Sequence, residues 1–478
     1  MQLTNSLKNS VLIILKLVAI GFIMLLLMIP EGMINSLVSE RAIRRDRAIS
    51  EVSYKWGNPQ SLVGPVLAVP YKKYLKTLKD GKEEKTEEIH YGYFLPEELN
   101  IKGNIEPKIL NRGIYDVVVY NSMLNFNGSF NRPNFSKWNI AEEDIMWNMA
   151  TVSIGIPDMR GIKENIKIKW GDKEFEATPG TKMEMILDPS VNMEQNFDEN
   201  NFFNINAKMP SFGSQDLEIS GVNAVIPLES GNPKYQYSFA INLNGSSLLN
   251  FSPIANKTSV ELSSSWQNPS FNGAFLPDER NIDDKGFSAK WNVLELNRNF
   301  PQSWQGKLNN NISTSNFGVK LLIPVDEYQK TDRSIKYAIL LIALTFLIFF
   351  FVEVINKIKI HPLQYILVGL AILLFFTLLL ALSEHINFNI AYLASSLATL
   401  IMIFLYSKTV LKTARLSFLT TGILAAIYIF IFTIIQLQDY SLLVGSIGLF
   451  IILSSVMYFS RKIDWYSAGA QDLENTNK

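Results

Sequence analysis

The stretch VLIILKLVAIGFIMLLLMI, Val11–Ile29, indicates a membrane protein, because it is apolar throughout except for one charged residue, Lys16. About 20 consecutive apolar residues span the hydrocarbon core of a bilayer. The run is longer than the apolar part of most signal peptides, and the Pro30-Glu31-Gly32 that follows lacks the small residues of a cleavage site. We therefore predict an uncleaved transmembrane anchor rather than a cleaved signal peptide.

Five further apolar runs lie in the last third of the chain, and each is long enough to cross a bilayer. Their bounds are Tyr337–Val354, Leu363–Leu382, Phe388–Tyr406, Leu416–Ile435 and Ser441–Phe459. The segment between the two apolar regions is polar and rich in Asn, so it cannot cross a bilayer. The predicted fold class is a membrane α-helical bundle of six transmembrane helices, one N-terminal and five C-terminal, plus a large β-rich extracytoplasmic domain.

The loops between the C-terminal runs predict the orientation of the chain. Residues 356–361, residues 407–415 and the pair Arg461-Lys462 are basic, whereas residues 383–387 and 436–440 contain no Lys or Arg. Lys and Arg accumulate on the cytoplasmic side of membrane proteins. We therefore expect both termini in the cytoplasm and the large domain outside it, which in a bacterium would be the periplasm.

Four arginines follow the first run on the side that this rule disfavours, within a helix predicted from Glu31 to about Lys55. They are Arg41, Arg44, Arg45 and Arg47. One hypothesis is a basic surface that contacts anionic lipid head groups or an anionic envelope polymer, and the other is a solvated helix with local ion pairs. Long domains translocate largely regardless of charge, so we base the orientation on the C-terminal loops.

From Trp56 onward, short β-branched and aromatic runs alternate with turn residues, a pattern typical of sheets. The predicted strands include Val66–Tyr71, Tyr115–Tyr120, Val152–Ile156 and Tyr235–Ile241, and the predicted turns include Asp80-Gly81, Asn127-Gly128 and Asn244-Gly245. The pattern indicates a sandwich or stacked sheets and leaves open whether there are one or two β units. The expected parts are a cytoplasmic tip with the anchor (1–30), the periplasmic domain (31–336), the five-helix bundle (337–462) and a cytoplasmic tail (463–478).

Composition and motifs exclude several classes of function. Lys+Arg and Asp+Glu number 44 each, which gives no argument for a nucleic-acid partner. The absence of cysteine excludes disulfides, thiol catalysis and Cys-ligated metals. The three histidines, His90, His361 and His385, lie far apart in the sequence, and neither H-E-x-x-H, G-x-S-x-G nor a Walker loop occurs. We therefore expect no enzyme activity, no catalytic residue, no cofactor and no metal. The alternative is an envelope hydrolase of unknown type that uses an unrecognised pair of carboxylates.

Three ionisable residues near the ends of the apolar runs are candidate functional residues: Glu353, Glu384 and His385. An imidazole on the external side could respond to pH near neutrality. The alternative is structural, since Glu353 lies near Lys357 at the cytoplasmic end of its helix and the other two lie at an external helix end in contact with water. Lys16 can extend its side chain toward the cytoplasm.

Four stretches along nearly the whole chain carry a resemblance to a known family. They are residues 47–71, with Trp56-Gly57 and Gly64-Pro65, residues 264–291, residues 317–337, and residues 361–393, which begin His361-Pro362-Leu363-Gln364-Tyr365. In these stretches the chain resembles the CreD family of bacterial inner-membrane cell envelope integrity proteins. The resemblance implies a role in envelope integrity and stress response, linked in some bacteria to a two-component regulatory system and to colicin tolerance, and it implies no established biochemical activity. Residues 75–89 and 188–220 match poorly and are expected to be variable loops.

The favoured hypothesis is a non-enzymatic membrane protein whose external domain binds an envelope component. Its expected partners are membrane lipids and an unidentified envelope protein or polymer, and the oligomeric state is left open. A transporter or lipid-handling protein is the first alternative. The sequence favours a transporter less, because no apolar run is clearly broken by Pro or Gly near the middle of the bilayer and buried charge is sparse.

Overall fold

The computed structural model describes residues 2–79, 82–183, 185–186, 220–229, 231–323, 327–437 and 440–461. The chain forms two compact units. The membrane unit comprises Met1–Asp46 and Val325–Lys478, and the β-rich unit comprises Arg47–Pro324.

Seven α-helices occur among the described residues. They are α1 (Gln2–Trp56), α2 (Glu327–Lys336), α3 (Ala338–Asn356), α4 (Pro362–Ser383), α5 (Phe388–Val410), α6 (Ala414–Gln436) and α7 (Ser441–Ser460). Within the same residues, six of these, all except the short α2, are long and apolar enough to cross a membrane. The predicted arrangement of one N-terminal and five C-terminal transmembrane helices is therefore confirmed. The helix predicted from Glu31 to about Lys55 is the second half of α1, which continues through Pro30.

The N-terminal part of α1 packs into the membrane unit rather than lying apart from it. Ile20, Ile23 and Leu27 are buried in the same apolar core as the aromatic side chains of α3 and α4. Gly369 on α4 permits this contact, because a Cβ added there would lie 2.2 Å from a methyl group of Leu27. Burial of these methyl groups holds the first helix against its neighbours in the membrane unit by close packing, the main source of helix association in lipid.

In the described part of the β-rich unit, the strands form two large sheets and a short two-stranded pair. Its strands are β1 (Gln60–Lys79), β2 (Lys82–Phe94), β3 (Glu98–Arg112), β4 (Tyr115–Asn131), β5 (Thr151–Gly155), β6 (Lys167–Trp170), β7 (Lys173–Glu176), β8 (Thr178–Pro179), β9 (Met185–Ile186), β10 (Gly221–Val225), β11 (Lys234–Ser246), β12 (Leu248–Phe251), β13 (Lys257–Ser264), β14 (Pro269–Gly273), β15 (Glu279–Asp283), β16 (Gly286–Leu294), β17 (Ser303–Gln305), β18 (Leu308–Asn311) and β19 (Phe317–Leu321).

One sheet has nine strands in the order β14-β19-β12-β1-β5-β10-β8, with β2 pairing to both β1 and β17. The other has eight strands in the order β15-β16-β13-β3-β4-β11-β6-β7, and β9 pairs with β18. Side chains alternate along β11, where Tyr237, Phe239 and Ile241 are buried while Gln236 and Ala240 are exposed. Apolar side chains from both sheets join one core, which confirms the predicted β-rich class.

Two predicted turns are wrong. Asn127-Gly128 lies inside β4 and Asn244-Gly245 lies inside β11. These glycines serve close packing instead of chain reversal: a Cβ on Gly128 would lie 1.9 Å from the carbonyl oxygen of Glu98, and a Cβ on Gly245 would lie 2.3 Å from the hydroxyl oxygen of Tyr120. A glycine in a strand that another group approaches closely has the same local sequence signal as a turn glycine.

The segment 75–89, expected to be a variable loop, instead belongs to the hairpin of β1 and β2, whose pairing runs from Leu67 opposite Phe94 to Lys79 opposite Lys82. Poor matching to a family therefore does not imply irregular structure. The predicted turn at Asp80-Gly81 and residues 188–219 of the second expected loop lie outside the described residues.

Candidate functional site

Glu353 is the most completely buried of the candidate carboxylates, with 7% of its side chain exposed. Its Oε1 accepts hydrogen bonds from the Lys16 ammonium and from the backbone N–H of Ile360, the latter at 2.9 Å. Its Oε2 accepts a hydrogen bond of 2.9 Å from the Tyr365 hydroxyl. Three donors therefore stabilise one carboxylate, as a buried charge requires.

Local structure explains how these groups meet. Helix α3 ends at Asn356, and the following Lys357 has a left-handed backbone conformation. The chain then turns into α4, which begins after His361. The His361 ring accepts from the Leu363 N–H while the Gln364 side chain accepts from the His361 N–H, a reciprocal cap. This short connection brings the Ile360 backbone to the Glu353 side chain. Lys16 also donates a 3.1 Å hydrogen bond to the Ile360 carbonyl, which fixes α1 to the same connection.

Glu384 lies at the other end of α4, where its side chain is 10% exposed and forms an ion pair of 3.5 Å with Arg41 on α1. Two candidate residues that the sequence places 343 positions apart are thus brought together within the membrane unit. His385 follows on the surface and is exposed. Its backbone N–H donates to the Leu382 carbonyl at the end of α4.

The other three arginines of α1 differ from one another in their contacts. Arg44 pairs with Glu40 at 2.6 Å, one helical turn away, and Arg45 pairs with Asp46 at 3.2 Å. Arg47 is exposed. Arg41, Arg44 and Arg45 therefore all bind carboxylates of the chain, and any contact of these residues with an anionic surface would have to compete with those pairs.

A second site lies in the β-rich unit, where the last turns of α1 meet the end of β3. A cavity of about 260 Å³ is lined there by Glu51, Val52, Lys55, Trp56, Leu110 and Arg112. The guanidinium of Arg112 donates from Nε to Glu51 Oε2 at 3.1 Å and from Nη2 to Glu51 Oε1 at 3.2 Å. Lys55 donates to Glu51 Oε1 at 2.9 Å. Two cations thus share one carboxylate beside three apolar side chains.

The end of α1 is held firmly next to this cavity. The Trp56 indole N–H donates to the Tyr120 carbonyl at 3.1 Å, and the Asn58 N–H donates to Asp158 Oδ2 at 2.9 Å. The buried Gln60 amide donates to the carbonyls of Asp158 and Asn244. These bonds join the helix end to several loops and strands, so the cavity wall is a rigid part of the fold.

Asp158 is a nearly buried carboxylate of the β-rich unit, with 7% of its side chain exposed. Burial alone raises the pKa of this carboxyl. Hydrogen bonds from the Arg160 side chain and from the backbone N–H groups of Asn58 and Arg160 outweigh burial, so the pKa lies below its ordinary value. Arg160 in turn lies over the Tyr54 ring, with its guanidinium carbon 3.8 Å from the ring centroid.

These arrangements are ion pairs and hydrogen bonds that connect separate elements within each unit. The described residues contain no group of three or more His, Asp and Glu side chains placed to hold a metal ion. Sequence reasoning named Glu353, Glu384 and Lys16 separately, but it predicted neither the pairing of Lys16 with Glu353 nor the cavity. Only the geometry of the fold joins Lys16 to Glu353, and Glu51 lies 61 positions from Arg112.

Comparison with known proteins gives consistent matches over nearly the whole chain. The sequence profile of the family described as "Inner membrane protein CreD" matches residues 12–466. The Escherichia coli (strain K12) protein described as "Inner membrane protein CreD" is 33% identical over 451 residues, which cover 93% of this chain and 91% of that protein.

Proposed function

Because the chain belongs to the CreD family of inner membrane proteins, we propose that it maintains the integrity of the bacterial cell envelope without catalysing a reaction. The family and the six apolar helices make it a multi-pass protein of the inner membrane. In the proposed arrangement both termini are cytoplasmic and the β-rich unit is periplasmic. There it binds an envelope component, and the six helices anchor it.

The observation that carries the proposal is a large β-rich unit between the first and second apolar helices of an inner-membrane family. The basic loops at residues 356–361 and 407–415 support a cytoplasmic location for those loops, and hence a periplasmic β-rich unit. A domain of this size on the periplasmic side can contact lipid, polymer or protein of the envelope.

Buried charge in the membrane unit is the feature that a transporter would use. The Glu353 carboxylate, however, already accepts from Lys16, Ile360 and Tyr365, so a structural role is the simpler interpretation. This arrangement supports an anchoring bundle over a conducting one. If the ion pair is structural, Glu353 variants should lower the stability of the membrane unit and affect the function only through that loss.

The experiment that tests the proposal is deletion of the gene, followed by complementation with the full chain. Sensitivity to detergents and antibiotics and cell shape are then measured. The proposal predicts increased sensitivity that the full chain restores. A deletion strain with unchanged sensitivity and shape would contradict it.

Crosslinking in living cells, followed by mass spectrometry of proteins, lipids and glycans that purify with the full chain, would identify the partner. The binding role predicts an envelope component crosslinked to the β-rich unit. A lipid crosslinked only to the helices, and lost when Glu384 or His385 is replaced, would favour lipid handling by the bundle.

A further inference from the structure

The cavity between the end of α1 and the end of β3 combines two kinds of surface that one class of ligand would use together. Val52, Trp56 and Leu110 give it apolar walls, while Lys55 and Arg112 stand beside them. With Glu51 as the single carboxylate in the lining, the formal charge of the site is +1. We propose that this cavity binds an anionic phospholipid, with its phosphate on Arg112 and Lys55 and its apolar part against Trp56 and Leu110. The inference rests on the proposed function and assigns its binding site.

The contacts of Arg112 explain why the expected head group is a phosphate. An arginine guanidinium presents parallel N–H groups that match carboxylate and phosphate oxygens. In the structure Glu51 occupies that fork with both oxygens. A phosphate would replace the Glu51 carboxylate on the same donors, so Glu51 acts as an internal competitor that weakens binding.

The tip of the neighbouring hairpin explains why a lipid fits better than a free anion. Ile114, in the turn from β3 to β4, is 44% exposed and lies two positions from Arg112. An exposed apolar side chain near a cation gains free energy when it contacts an acyl chain. Inorganic phosphate would leave this side chain and the apolar cavity walls in water.

The three charged side chains of the site are exposed, so a ligand can reach them and replacing them should not prevent folding. The exposed fractions are 58% for Arg112, 72% for Lys55 and 40% for Glu51. An ion pair this exposed contributes little to folding, typically below about 1 kcal/mol. Variants at Arg112 and Glu51 are therefore expected to fold, and their effects can be assigned to binding.

The test uses the full chain in nanodiscs of phosphatidylcholine, titrated with soluble dihexanoyl-phosphatidylglycerol and followed by Trp fluorescence and calorimetry. Arg112→Gln should weaken binding about tenfold, the loss of a bidentate charge-assisted contact, and Glu51→Gln should strengthen it several-fold. Lys102→Gln is the matched control, because Lys102 is an exposed, ion-paired cation of β3 that lies outside the cavity. Its affinity should match that of the unmodified chain.

Two further titrations separate the sources of the signal. Dihexanoyl-phosphatidylcholine keeps the phosphate and the acyl chains, but its choline cation cancels the net charge and would repel Arg112 and Lys55, whereas inorganic phosphate has no acyl chain. Each should therefore bind at least about tenfold more weakly. Equal loss in Arg112→Gln and Lys102→Gln, or inorganic phosphate binding as well as the lipid, would overturn the lipid site. Complementation distinguishes this failure from failure of the proposed function: if the deletion strain is sensitive and Arg112→Gln restores it fully, the envelope role stands and the site does not.

Discussion

Lys16 in the first helix forms an ion pair with Glu353 in the third, across 337 positions of sequence. The pair gives the N-terminal helix a specific partner in the membrane unit in addition to its apolar contacts. It also lies at the connection between α3 and α4, where Ile360 and Tyr365 complete the hydrogen bonds of the carboxylate. The first helix is therefore an integral member of the bundle, and several measurements can test this.

Lys16→Met should destabilise the membrane unit by about 3 kcal/mol, because it leaves a buried charge without its counter-ion. Glu353→Gln should also destabilise it, and the double variant should be less destabilised than the sum, with a coupling free energy of about 2 kcal/mol. Unfolding of the nanodisc-reconstituted protein by SDS would measure this. A double-mutant cycle on the exposed ion pair of Lys336 and Asp332 is the control, and its coupling free energy should be below about 0.5 kcal/mol. Additive effects of the Lys16 and Glu353 variants would contradict a specific pair.

Tyr365→Phe should cost about 2 kcal/mol of stability, because its hydroxyl donates to a charged carboxylate. Tyr392→Phe is the matched variant, since the Tyr392 hydroxyl donates at the same 2.9 Å to a neutral carbonyl, that of Tyr428. Its expected cost is about 1 kcal/mol. The two unfolding free energies, compared in the same lipid, test whether Glu353 is ionised; an equal cost would argue that it is protonated.

Gly128→Ala should destabilise the β-rich unit by about 3 kcal/mol, because the added methyl would lie 1.9 Å from the Glu98 carbonyl and force two strands apart. Gly171→Ala provides the comparison. Gly171 has a φ of +59° but nothing within 4 Å of an added Cβ, so only backbone strain of about 1 kcal/mol is expected. Thermal unfolding of the β-rich unit would rank the two, and a smaller loss for Gly128→Ala would refute the packing role of this glycine.

Asp158 should make the β-rich unit sensitive to acid. Its folded-state pKa is lowered from the ordinary value of 3.8, so its contribution to stability is present above about pH 4 and is lost as the pH falls through the folded-state pKa. Asp158→Asn should therefore be less stable than the unmodified chain at pH 7, by about 2 kcal/mol, and this difference should shrink below pH 4. Asp172→Asn, at an exposed turn position, serves as the control in unfolding measurements across pH. A difference that is constant with pH would count against the carboxylate's role.

The transmembrane helices could be predicted from sequence because a bilayer imposes a local requirement. The run Val11–Ile29 must be apolar along its whole length whatever the rest of the fold does. Strands such as Tyr235–Ile241 could also be predicted, since alternating burial follows from the geometry of a strand. Asn127-Gly128 was misassigned because the neighbour that requires glycine comes from a different strand and is not visible locally.

The candidate site could be predicted only in part for the same reason. Glu353 and Glu384 stand out in sequence as ionisable residues at the ends of apolar runs. Their partners Lys16 and Arg41 belong to a distant helix, so only the packed structure brings the pairs together. The cavity beside Arg112 depends on a helix end, a strand end and a carboxylate that no sequence motif connects.

The measurement that tests the account most directly is the side of the membrane on which the β-rich unit lies. The chain contains no cysteine, so single cysteines can be introduced without background. Glu174→Cys on β7 is exposed in the β-rich unit, and Thr413→Cys is exposed between α5 and α6. With a membrane-impermeant maleimide on intact spheroplasts, Glu174→Cys should be labelled and Thr413→Cys should be labelled only after permeabilisation. The reverse pattern would place the β-rich unit in the cytoplasm and contradict the proposed envelope function.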